Sequence, residues 1–152
     1  MTERQKIIAH KLTILSAKNK LKRIPGITVL ELYEENENLA LNECYSAYSS
    51  AYGYAQKPYS RLSYKSPEKK VCDWIIDVMD LKQYCEYYYF CGLWSKIKIL
   101  DLICAVSFLW REDNGFLFAE TDLSRILECG FDSRDEEHFL IDVWENKKNP
   151  NP

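Results

Sequence analysis

The most apolar stretch of the chain lies between Leu93 and Trp110 and reads LWSKIKILDLICAVSFLW. At helical spacing its apolar side chains fall on two stripes on opposite sides of the axis. One stripe contains Ile99, Leu102, Ile103, Val106, Leu109 and Trp110, and the other contains Ile97, Leu100, Cys104 and Phe108. A helix that is apolar on two sides must be covered on two sides, so the pattern predicts a central buried helix. Lys96, Lys98 and Asp101 interrupt the stretch, which is also shorter than the roughly 20 apolar residues of a membrane span.

Length and composition predict one mainly helical domain. The chain has 152 residues, of which 47% are hydrophobic and 28% charged, as is typical of a globular domain. Five glycines and five prolines are too few turn formers for a sandwich of many short strands. We therefore predict an all-α fold over residues 1–148 and a disordered tail over residues 149–152. The runs 87–91 and 116–119 could add one short β-hairpin or strand pair.

Local signals place the helix starts. Capping pairs or a Ser-Pro step occur at Thr2 with Gln5, Thr28 with Glu31, Ser66 with Pro67, and Ser133 with Glu136. A further short helix is predicted from Thr121 or Asp122 to a closing glycine at Gly130. The segment from Gly53 to Lys65 has no sustained period and contains Gly, Pro and Ser, which indicates a loop.

The cysteine pattern and the N-terminus predict a cytoplasmic protein. The six cysteines include no C-x-x-C pair, and the first residues, MTERQKIIAHK, contain no unbroken apolar core of signal-peptide type. Reduced thiols in the cytoplasm are therefore expected.

No motif for catalysis or cofactor binding is recognised. The sequence contains no phosphate-cradling glycine loop, no nucleophile elbow and no H-E-x-x-H pair. We therefore predict no cofactor and no enzymatic activity, with a small enzyme acting through scattered acidic and tyrosine side chains as the less favoured alternative.

Three potential metal ligands lie near the end of the chain. Asp135, His138 and Asp142 would lie on one face if residues from Ser133 onward form a helix. No fourth ligand accompanies them, and a solvated acidic face explains the same spacing. We therefore predict no metal site here.

Charge is unevenly distributed along the chain. Residues 1–24 carry seven lysines and arginines against one glutamate, whereas residues 112–145 carry eleven carboxylates against two arginines. A dense acidic surface attracts a cationic partner, and aromatic side chains are favoured at protein interfaces. The predicted partner-binding residues are Asp73, Asp77, Asp80, Asp132, Asp135, Glu136, Glu137, Asp142, Glu145, Tyr87 and Tyr88.

These features predict a small protein-binding or inhibitor protein with a basic protein as its partner. In size and charge the chain is similar to the immunity proteins that neutralise cationic nuclease toxins in bacteria, although it shares no motif with them. The alternative is a nucleic-acid-binding module that uses the Lys-rich first helix and the tyrosine- and lysine-containing loop 54–70. No membrane partner is expected.

Overall fold

The computed structural model describes residues 1–51 and 57–147, which form four helices and seven strands. In chain order these are α1 (Glu3–Arg23), β1 (Ile27–Leu32), α2 (Leu39–Ala51), β2 (Ser60–Ser63), α3 (Glu68–Met79), β3 (Glu86–Phe90), β4 (Trp94–Ile99), α4 (Leu102–Asp113), β5 (Phe116–Glu120), β6 (Arg125–Gly130) and β7 (His138–Glu145). The strands form one antiparallel sheet in the order β1-β4-β3-β5-β6-β7-β2. The predicted all-α fold is therefore wrong, because the described chain combines helices with a seven-stranded sheet.

Helices cover both faces of this sheet. On one face, α1, α4 and α3 bury a large core against the sheet, with α3 beside β7 and β2 and with α1 near β1. On the other face, α2 packs Leu41, Cys44 and Tyr48 against a smaller core that includes Trp94 and Ile126. No helix among the described residues combines the length and the apolar character needed to cross a membrane.

The predicted central helix between residues 93 and 110 is in fact strand β4 followed by helix α4. In β4, Ile97 and Ile99 are fully buried, whereas the alternate residues Lys96 and Lys98 are half-exposed on the opposite face. This alternation has the period of a strand. The side chain of Asp101 then accepts a hydrogen bond from the first turn of α4 and caps that helix. Two short apolar elements were thus mistaken for one long one.

Three further predicted helices are strands. The segment that begins at Thr28 is β1, which pairs with β4, and β-branched Ile27, Thr28 and Val29 favour that conformation. The predicted helix closed by Gly130 is β6, and the predicted last helix is a loop followed by β7. A capping pair is a local signal, and pairing with distant strands overrides it here.

Few glycines do not exclude a sheet, because residues other than glycine also adopt positive φ angles where this chain turns. Positive φ angles occur at Asn36, Asp80, Tyr84, Asn114 and Leu123. Asn and Asp tolerate the left-handed region better than most residues. A chain can therefore reverse direction often without many glycines.

Other predictions are confirmed. Thr2 and Gln5 form the predicted capping box at the start of α1. Helix α3 presents its predicted apolar face to the core, but it begins one residue later than predicted, since Pro67 rather than Ser66 is its N-cap and no side chain caps it. The run 116–119 is part of β5, and four of the five residues in the run 87–91 belong to β3. The prediction of a loop between Gly53 and Lys65 is only partly right, because this segment contains β2. Its residues 53–56 and all of the predicted disordered tail, residues 149–152, lie outside the described residues, as does residue 148.

Candidate protein-binding surface at the β2–β7 edge

Strand β2 forms one edge of the sheet, and the loop of residues 131–137 leads from β6 into β7 beside it. The backbone N–H of Tyr59 donates to the carbonyl of Ile141 at 2.8 Å, and that of Tyr64 donates to the carbonyl of Glu137 at 3.1 Å. These bonds extend the β2–β7 ladder at both ends of β2. The loop and both tyrosines are thereby placed along one edge.

Five exposed side chains along this edge form what we call the edge surface: Tyr59, Tyr64, Phe131, Glu136 and Glu137. The aromatic members are 67%, 48% and 51% exposed, respectively. Glu136 and Glu137 are exposed and form no ion pair with any residue of ranges 1–51 and 57–147. The edge surface therefore combines apolar anchors with two free negative charges.

A buried arginine shapes the loop that carries the two glutamates. The side chain of Arg134 is only 6% exposed and lies between two carboxylates. Its Nη2 atom is 2.8 Å from Asp132 Oδ2 and 2.7 Å from Asp142 Oδ2, and its Nη1 atom donates to Asp142 Oδ1 at 3.1 Å. Paired contacts of this kind fix the guanidinium plane. The loop is thus tied to β7 from within.

Asp135 ties the same loop to β2. Its carboxylate lies 3.0 Å from His138 Nδ1 and 3.4 Å from Arg61 Nη1, and it accepts a hydrogen bond from the backbone N–H of Glu137 at 2.9 Å. The hydrogen bond with His138, followed by that with the Glu137 backbone, holds the pKa of Asp135 below its usual range. The carboxylate therefore remains ionised and continues to hold the loop in weak acid.

A second carboxyl, Glu128, lies on the α2 face of the sheet directly opposite Asp142 in the β6–β7 register. The hydroxyl of Tyr48 donates to its Oε1 atom at 2.5 Å. Burial raises the pKa of Glu128, and the nearby charge of Asp142 adds to this, while the Tyr48 hydrogen bond opposes it. Glu128 therefore holds a proton more readily than a solvent-exposed glutamate.

A wide groove of about 1650 Å³ runs between α2 and β7 on the same face. Small α2 side chains line one wall, and Asp142, Trp144 and Asn146 line the other. Cys44 also lines it, but burial raises the pKa of this thiol, and its sulfur contacts the Asn146 side chain at 3.5 Å. A thiol with a raised pKa is a weak nucleophile at neutral pH.

The structure separates the predicted partner-binding residues into accessible and inaccessible groups. Asp73, Asp77, Asp80, Glu136, Glu137 and Glu145 are exposed. Asp132 and Asp142 instead pair with Arg134. Asp135 contacts Arg61 and His138. Tyr87 is a core residue that is 4% exposed, so a partner cannot reach it. Tyr88 is half-buried in an edge-to-face contact with Tyr33.

The aromatic members of the edge surface were not included in the predicted site. Tyr59 and Tyr64 belong to the loop of the alternative nucleic-acid site, and Phe131 belongs to no predicted site. Their position in short segments rich in turn formers could have predicted that these aromatic side chains are exposed, because such segments lie at the surface.

Ion pairing within the fold reduces the acidic excess seen in the sequence. Lys20 lies 2.8 Å from Asp113, and Arg23 lies 3.1 Å from Glu112, so the basic first helix neutralises the start of the acidic segment. Within ranges 1–51 and 57–147, at least six of the eleven carboxylates in residues 112–145 form ion pairs: Glu112, Asp113, Glu120, Asp132, Asp135 and Asp142. The free negative charge is therefore concentrated on fewer residues than the sequence suggested.

The structure also separates the three residues considered as metal ligands. Asp135 and His138 are in contact, but Asp142 lies on strand β7 and binds Arg134. Among residues 1–51 and 57–147, no group of three or more His, Cys, Asp or Glu side chains is arranged to hold a metal ion.

The two parts of the alternative nucleic-acid site lie at different edges of the sheet. Helix α1 is near β1, whereas β2 belongs to the loop region 54–70. Six interstrand spacings separate the outermost strands β1 and β2, a distance of about 29 Å. Arg61 on β2 is already paired with Asp135.

Comparison of the chain with protein families, with curated proteins and with solved structures found no match.

Proposed function

We propose that this chain is a binding protein that recognises a cationic protein through the edge surface. The proposal rests on the exposed aromatic side chains of Tyr59, Tyr64 and Phe131, which lie along the same edge region as Glu136 and Glu137 on a loop held by a buried arginine. Aromatic anchors supply much of the affinity at protein interfaces, and complementary charge speeds association.

The internal ion pairs favour binding because they set the shape of the loop before a partner arrives. Arg134 ties the loop to β7 and Asp135 ties it to β2 and β7, so little conformational freedom is lost when Glu136 and Glu137 meet a cation. A specific form of this function is inhibition of a cationic nuclease, as the size and charge of the chain suggested. The edge surface would then cover the basic site that otherwise contacts the nucleic-acid backbone.

The test reverses the charge of the two free glutamates. The purified chain captures its partner from lysate, the partner is identified by mass spectrometry, and its association rate is measured at several salt concentrations. We expect a basic partner whose association with the variant Glu136→Lys/Glu137→Lys is about tenfold slower or worse.

The matched control is Asp73→Lys/Asp77→Lys, which makes the same change in net charge on exposed residues of α3. It should retain association near the wild-type rate. Capture of an acidic partner, or equal loss of association in both variants, would contradict the proposal.

A further inference from the structure

The opposite edge of the sheet, formed by β1, is also open. One side of β1 pairs with β4, and the other side forms no backbone hydrogen bond with the described residues. Val29 and Leu30 on this strand are 41% and 43% exposed. An edge strand with unpaired backbone groups and exposed apolar side chains is a template for another strand.

Helix α1 lies beside this edge in a defined orientation. Ala17 and Leu21 are buried against the core, and His10, near the other end of the helix, is 3.8 Å from Glu34 just beyond β1. Lys20 and Arg23 form ion pairs with the end of α4. Because α4 lies toward the middle of the sheet, the opposite side of α1 faces outward over the β1 edge.

That outward side carries a row of free cations, which we call the basic stripe: Arg4, Lys11, Lys18 and Lys22. At 3.6 residues per turn these four positions fall within about 40° of one another around the helix. All four are exposed, and none forms an ion pair with a residue that the structure describes. Ile7, which is 54% exposed, lies at the border of the stripe.

We propose that the β1 edge binds an extended acidic segment of another protein, which adds a strand to the sheet. The backbone of the segment would pair with the open side of β1, as in other cases of strand addition. Its apolar side chains would contact Val29 and Ile7, and its carboxylates would meet the basic stripe. The backbone, the apolar side chains and the carboxylates of the segment would each bind a different exposed group at this edge.

Charge and chemistry favour this occupant over two others. A second copy of the chain paired two-fold through β1 would bring two basic stripes together, and the like charges would repel. A nucleic acid would satisfy the stripe but has no peptide backbone to pair with β1 and no aliphatic side chain for Val29.

The probe is an acetylated, fluorescently labelled peptide with the repeat Glu-Glu-Val-Val, which places both residue types on each face of a strand, and a second peptide with lysine in place of glutamate serves as its control. We expect the acidic peptide alone to bind, with slower amide hydrogen exchange at residues 27–32. The variant Lys11→Glu/Lys18→Glu should weaken binding at least tenfold. Lys69→Glu/Lys70→Glu, which changes the same charges at the start of α3, should bind as the wild type does.

Several results would overturn the inference. For the peptide, these are no binding at millimolar concentration, protection of β2 instead of β1, or unchanged binding by Lys11→Glu/Lys18→Glu. A concentration-dependent dimer that competes with the peptide would also overturn it. So would binding of single-stranded RNA without protection of β1. Circular dichroism of each variant confirms that it is folded. Glu136→Lys/Glu137→Lys should leave peptide binding intact, which separates this test from that of the edge surface.

Discussion

Replacing Arg134 with methionine is expected to destabilise the fold strongly. The guanidinium is 6% exposed and neutralises Asp142, whose side chain is 11% exposed. Methionine leaves that carboxylate buried without this cation, and loss of one member of a buried ion pair costs about 3–5 kcal/mol. For a chain of this length, about 2–4 °C of melting temperature is lost per kcal/mol, which predicts a fall of roughly 6–20 °C.

The matched control is Arg61→Met. Arg61 contacts Asp135 at 3.4 Å, but its side chain is 53% exposed, and exposed ion pairs contribute about 0–1 kcal/mol. Urea unfolding followed by circular dichroism measures both variants, and an unchanged denaturant slope shows that the difference lies in stability.

The double variant Arg134→Met/Asp142→Leu tests whether the stability lost by Arg134→Met comes from the buried charge of Asp142. Because the double variant removes the buried Asp142 carboxylate, it should recover much of the stability lost by Arg134→Met. A loss below about 1 kcal/mol for Arg134→Met, or equal losses for Arg134→Met and Arg61→Met, would refute the view that a buried ion pair organises the loop.

Two further predictions concern the core and the buried carboxyl. Val106→Ala should cost about 2–4 kcal/mol, because Val106 is fully buried on α4 and loses two methyl groups; a melt close to that of the wild type would place α4 outside the core. Burial raises the folded-state pKa of Glu128, so its contribution to stability is full below its unfolded pKa and is lost as pH rises through the folded pKa. Glu128→Gln should therefore be more stable than the wild type at about pH 7 and equal to it at about pH 4, as thermal melts at both pH values would show.

The parts of the fold that could be read from the sequence depend on neighbouring residues. The capping box at Thr2 and the amphipathic pattern after Ser66 correctly predicted α1 and α3. Each pattern lies within a single helix, whose hydrogen bonds join residues four apart. The strand period of Ile97 and Ile99 was also present in the sequence, but the apolar residues after Asp101 concealed it.

The candidate sites could be predicted only in part. Glu136 and Glu137 were identified as acidic and exposed, and both are. Tyr87 was predicted to contact a partner because aromatic side chains are favoured at protein interfaces. In a strand alternate residues face opposite sides, and both faces of this sheet are covered, so Tyr87 enters one core while Tyr88 packs against the other.

The sequence alone specifies α1 with its capping box, the amphipathic α3, the apolar segments that become core, and the opposite charges of the two ends. Tertiary structure decided which segments become strands, because β1 pairs with a partner nearly 70 positions away and no local pattern encodes that choice. It also decided which charges remain free. Arg134 is close in sequence to many acidic residues, yet only the β6–β7 pairing and the loop between them place it against Asp142 and leave Glu136 and Glu137 exposed.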